Sequence, residues 1–123
     1  MNQVLAHLRA CADVWGACIA RILAEEHPTL KAINPRTYSA GTDLPRQPFA
    51  DSLFAYTKQR DQLLAELVAL APEQWKRAAT VVGAGRPLER TTADYARRMA
   101  LHERAHLAQI ERAAAILRGG TER

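Results

Sequence analysis

The chain has 123 residues, room for one small domain. It is 48% apolar and 24% charged, which excludes disorder as its main state. The formal charge of +4 is scattered among acids along every segment, with no block of like charge and no aromatic cluster to stack bases, so no nucleic-acid partner is expected. No apolar run approaches the about 20 residues of a membrane span, so no membrane partner is expected either. The opening MNQVLAHLRACADVWGACIA lacks a basic start and is interrupted by Arg9 and Asp13, unlike a signal peptide. Two cysteines without an export signal imply a cytoplasmic chain with free thiols.

Three segments carry helical periodicity. The first is expected from Asn2 to Glu26, with Asn2 as N-cap. One stripe reads Val4, His7, Cys11, Val14, Cys18, Ile22, and a second beside it Leu5, Leu8, Ala12, Trp15, Ile19, Leu23. Two stripes make a wide apolar face, packed on more than one side. Pro28 ends the helix, leaving His27 as a capping residue at its C-terminus. Residues 27–48 read as a loop punctuated by prolines, long enough to be a lid or rim. The second helix is expected from Phe49 to Leu70 behind Pro48, with a short extra turn at Pro72–Trp75. Residues 78–90 form a second loop, with Ala79–Val82 as a short extended piece. Its Gly-Ala-Gly at 83–85 reads as a turn, because the third glycine of a dinucleotide motif falls on Leu88. The third helix is expected from Thr92 to Arg118, capped by Thr91 or Thr92 and stopped by Gly119-Gly120. Its inward stripe is Tyr95, Met99, His102, His106, Ile110, Ala113, Leu117.

The informative residues are histidines on core stripes. His102 and His106 are four apart, so both imidazoles leave one face of one helix, one turn from each other. Each otherwise needs its own buried partner, and Met99 and Ile110 offer none. His7 on the inner stripe of the first helix supplies a third nitrogen if the two helices pack together. Three neutral imidazoles hold a divalent transition metal and leave positions open. Cys11 and Cys18 read as small buried hydrophobes, with Cys11 as the alternative fourth ligand. His102-Glu103-Arg104-Ala105-His106 also matches HExxH. A peptidase is not favoured, because a downstream third ligand and a sheet edge for a peptide are missing. Glu103 remains a candidate to orient or deprotonate a water.

VLAHLRACADVW, HPTL, NPRTY, FAYTKQRDQLLAEL, TVVGAGRPLERT and YARRMALHERAHLAQI together resemble the DinB-like family of four-helix-bundle proteins, some with a YfiT-type metal site. The resemblance spans most of the chain. Its most specific part, one early histidine and HxxxH with a following Gln, falls on His7, His102, His106 and Gln109. It implies an all-α, up-down helical bundle in a single domain over residues 1–123, with three long helices of the family's four and a long first connection. It also implies zinc or nickel as cofactor, and metal-dependent chemistry with low-molecular-weight thiols (S-transferase, isomerase or hydrolase).

The family usually has a helix before the one carrying the first histidine. An apolar first helix without that cover is a sticky surface, so a homodimer is expected. A small-molecule substrate is expected in the pocket. Arg36 and Tyr38 in the long loop, and Arg60 and Tyr95 at inward or near-inward helix positions, are the candidate substrate contacts. The alternative is a non-catalytic dimerisation or small-molecule-binding module with a vestigial metal site.

Overall fold

The computed structural model describes residues 2–122, with side chains described for 3–105, 108 and 112. Three long helices dominate: α1 (Asn2–Ala24), α3 (Phe49–Val68) and α5 (Thr92–Glu122). Between α1 and α3 lie β1 (Thr29–Lys31), α2 (Pro35–Ala40) and a 3-10 turn at Leu44–Arg46. Between α3 and α5 lie α4 (Pro72–Trp75), β2 (Ala78–Val82) and β3 (Leu88–Thr91). None of the helices among the described residues is long and apolar enough to cross a membrane.

The architecture is mostly helical but not all-α, which corrects the expected class. A small sheet of order β1-β2-β3 joins the two connections. β1 runs parallel to β2, with Leu30 opposite Val81, and β2 runs antiparallel to β3, with Thr80 opposite Glu89. The turn between β2 and β3 needs glycine, since Gly83 and Gly85 take φ of 94° and 83°. The 27–48 segment is therefore no bare loop; it buries Leu30, Ser39 and Leu44.

α1 is the central element. It packs against α3, α5, α2 and the 3-10 turn. Its wide apolar face is covered within the chain, with Leu5, Leu8, Ile19 and Ile22 at 0–3% exposure. The reason for expecting a dimer through α1 thus falls away. Leu5 and Leu8 pack with Tyr56 of α3. Ala6 and Ala10 let the 3-10 turn bring Leu44 close. Ile19 and Ile22 meet Leu30, Ala79 and Tyr95, so the sheet and the start of α5 share one cluster with the end of α1.

The ends of the helices are defined by specific polar contacts. The Arg77 guanidinium donates to the Glu25 carbonyl at 2.7 Å, satisfying a group left free where α1 stops. His27 does not cap α1. It turns the chain with φ 43°, and its Nε2 lies 3.0 Å from Thr80 Oγ1 and 3.0 Å from a Glu89 carboxylate oxygen. At the start of α5, Asp94 accepts from the Thr91 N–H at 2.9 Å while Thr91 Oγ1 accepts from the Asp94 N–H at 3.0 Å, a reciprocal cap.

α3 and α5 flank α1 without a comparable interface with each other. A groove of about 660 Å³ opens between them, floored by Ala12 and Gly16 and walled by Leu63, Leu64, Met99 and Leu101.

Candidate metal centre

His7 and Cys11 stand one turn apart on α1, and antiparallel packing of α5 brings His102 against them. His7 Nε2 lies 3.1 Å from His102 Nε2, and Cys11 Sγ lies 3.7 Å from His7 Nε2. One ligand atom from each of the three residues lies within 4.8 Å of the others. Tetrahedral zinc, with bonds of about 2.0–2.1 Å to nitrogen and 2.3 Å to sulfur, sets N···N near ~3.3 Å and N···S near ~3.6 Å. The His7–His102 and His7–Cys11 separations are close to both, so the three donors are compatible with a metal site.

The surroundings hold these donors in place. The His7 and His102 rings meet edge to face, with centroids 4.9 Å apart. Trp15 stands edge-on to His102 at 5.3 Å, and the Arg98 guanidinium lies 5.2 Å from the Trp15 ring. Burial pushes the Cys11 thiol up to about 11, with Arg36 and Arg98 pulling the other way. Without an ion, Cys11 is therefore a neutral thiol at physiological pH.

Glu103 neighbours His102 in sequence but is held from the other side. Its carboxylate pairs with Arg60 Nε at 2.7 Å, and it borders the same small cavity as Tyr56. Burial first, then that carboxylate, push the Tyr56 hydroxyl above its usual range. Between the two sets of groups lies a cavity of about 20 Å³, touching Cys11, Trp15, Tyr56, His102 and Glu103. That is room for one water.

The structure brings together His7, His102 and Cys11, the last of which reads more simply from sequence as a packed hydrophobe. Its signal was present, since His7 and Cys11 share the i, i+4 spacing of His102 and His106. The His106 side chain lies outside the described residues. Among the candidate substrate contacts, Arg36 exerts its charge on Cys11. Tyr38 instead donates to Asp13 at 3.1 Å, and Gln59 donates to the other Asp13 oxygen at 2.6 Å; this pins α2 to α1 and α3. Arg60 positions Glu103. Tyr95 is buried, and that burial pushes its hydroxyl up to about 12.

A second cavity, of about 470 Å³, opens along the same face of α1, walled by Trp15, Cys18, Lys31, Arg90, Tyr95 and Arg98 among others. The sequence reading missed Arg98, although it precedes His102 by one helical turn. The three-stranded sheet, whose expected absence was one ground against a peptidase, is present and borders this second cavity through Lys31, Val81 and Arg90.

A bundle around a His/Cys/His donor set defines the class as a helical protein with a candidate metal centre. A family model of the DinB superfamily matches residues 1–110, and the chain belongs to that superfamily. No curated protein and no solved structure matches it.

Proposed function

We propose that this chain is a metal-dependent enzyme in which His7, Cys11 and His102, joined by His106, hold one zinc or nickel ion. The observation that carries the reading is the convergence of three ligand atoms within 4.8 Å from segments far apart in sequence. When bound, the ion supplies Lewis acidity that lowers the pKa of a water or low-molecular-weight thiol. Glu103 is the group that takes the proton, across the one-water cavity it shares with His102. Arg60 fixes its carboxylate. Free thiols at Cys11 and Cys18 suit a reducing cytoplasm.

Cobalt substitution tests this directly. Tag-free protein is expected to take up one equivalent of Co²⁺ and to show a near-ultraviolet thiolate-to-metal charge-transfer band. Cys11→Ser is expected to lose the band while still binding cobalt more weakly. Absence of any stoichiometric uptake would sink the reading.

The chain is also proposed to be a homodimer, through α3 rather than α1. Phe54, Leu64 and Val68 of α3 are 72%, 47% and 84% exposed, beside the open groove. In an antiparallel two-fold contact this face is self-complementary. Leu53 of one copy would meet Val68 of the other, Thr57 would meet Leu64, and Arg60, paired with Glu103 of its own chain, would lie opposite Asp61. Light scattering in the micromolar range is expected to give twice the chain mass, reverting to one chain in Asp61→Lys. A single-chain mass for the unmodified protein would refute it.

A further inference from the structure

We infer that the 470 Å³ cleft beside the candidate metal centre binds a small molecule with an apolar body and an anionic group, a carboxylate or phosphate ester, held by Arg90 and Arg98. The inference rests on the proposed function and deepens it, because Trp15, which stands against His102, walls both this cleft and the small cavity at the donor set.

Cations reach the cleft from three elements: Lys31 from β1, Arg90 from β3 and Arg98 from α5. No Asp or Glu is among the residues lining it. Arg90, Tyr95 and Arg98 line the cleft together. The nearest acid on α5, Asp94, accepts from the Thr91 N–H and also feels the charges of Arg90 and Arg97, but it does not line the cleft. Among the described residues, neither arginine has a carboxylate within salt-bridge distance. Arg98 is held over Trp15 at 5.2 Å. Stacking fixes the plane of a guanidinium and leaves its N–H edges for a bidentate anion.

Val14, Ala32, Ile33, Pro35, Val81 and Leu88 give the rest of the wall apolar patches beside Asn34. Ile33 and Leu88 line the cleft yet are 54% and 43% exposed. An apolar ligand body covers them. Arg98 precedes His102 by one turn, a rise of about 6 Å. A molecule anchored at Arg98 therefore lies against Trp15, whose ring stands 5.3 Å from that of His102, and Arg36 adds a further positive charge near Cys11.

Calorimetric titration with phenylphosphate and with benzoate, on zinc-loaded and on chelator-treated protein, tests the inference. Saturable binding of at least one probe is expected in both forms, weakening with salt. Arg98→Gln and Arg90→Gln are each expected to weaken it by about tenfold or more, the loss of a charge-assisted hydrogen bond. Arg98→Lys falls between, and the exposed Arg112→Gln stays at the unmodified value. Benzyl alcohol, with the same ring and no charge, is expected not to bind. Equal binding of benzyl alcohol, or unchanged anion affinity in a folded Arg98→Gln, would overturn the inference. Failure of the metal reading is distinguishable: His102→Ala then changes nothing in zinc content, while anion binding to the chelated protein persists.

Discussion

His102→Ala is expected to abolish the difference in melting temperature between zinc-loaded and chelated protein. An ion that binds the folded chain and not the unfolded one stabilises it by about 4 kcal/mol at a thousand times its Kd. For a domain of this size that is roughly 10–20 °C, at several degrees per kcal/mol. Losing a first ligand costs more affinity than the roughly 10- to 100-fold of losing an outer contact, so the increment collapses. The increment, not the absolute melting temperature, is the measurement. The chelated variant also loses the contact between the His7 and His102 nitrogens at 3.1 Å, worth about 1 kcal/mol as a part-buried hydrogen bond. His106→Ala, tested alongside, reports whether the fourth donor lies one turn further along α5. A His102→Ala chain that keeps the full increment places the ion elsewhere.

Much of this arrangement is legible in residue spacing. Proline at 28 and 48 and the Thr91 cap mark where helices stop and start, and α1, α3 and α4 end within two residues of the expected positions. α5 is the exception at its far end, continuing through Gly119-Gly120 to Glu122, because a glycine costs a helix only about 1 kcal/mol. Of the sheet only β2 was legible, as the short extended piece at Ala79–Val82. β1 is three residues long, too short for alternation to register, and its pairing with β2 spans a whole helix of intervening chain.

For the site, periodicity identifies His7 and His102 because imidazoles on apolar stripes demand an explanation. Cys11 demands none, since a buried thiol is an ordinary core residue. The cleft arginines fail for the opposite reason. Charge on a helix is assigned to solvent by residue type, whereas Arg98 is kept against the cleft by a Trp15 face that no local pattern encodes. What a single sequence withholds here is which side chains from different elements converge.

That convergence depends on how α1 is anchored, and Ile22→Ala tests the anchor. Ile22 is 0% exposed and packs with Ile19, Leu30, Ala79 and Tyr95, where α1, β1, β2 and α5 meet. Truncation removes buried methylenes and leaves a cavity that fixed strands cannot close, a loss of about 2–5 kcal/mol. Ile22→Val, which keeps the branch, is expected to lose only about 0.5–1.5 kcal/mol. Against a typical total of about 5–15 kcal/mol, the alanine variant sits near the edge of folding. Phe54→Ala removes a larger side chain that is 72% exposed. Its cost is expected to be small, and to vary with protein concentration because Phe54 lies on the proposed dimer face. Urea midpoints at two concentrations separate these cases. The cluster lies at the opposite end of α1 from His7, so Ile22→Val is expected to keep zinc affinity while lowering the midpoint. An Ile22→Ala cost no greater than that of Phe54→Ala would mean that α1 is not held by the sheet. The cleft between them, with the arginines it gathers, would then have no fixed wall.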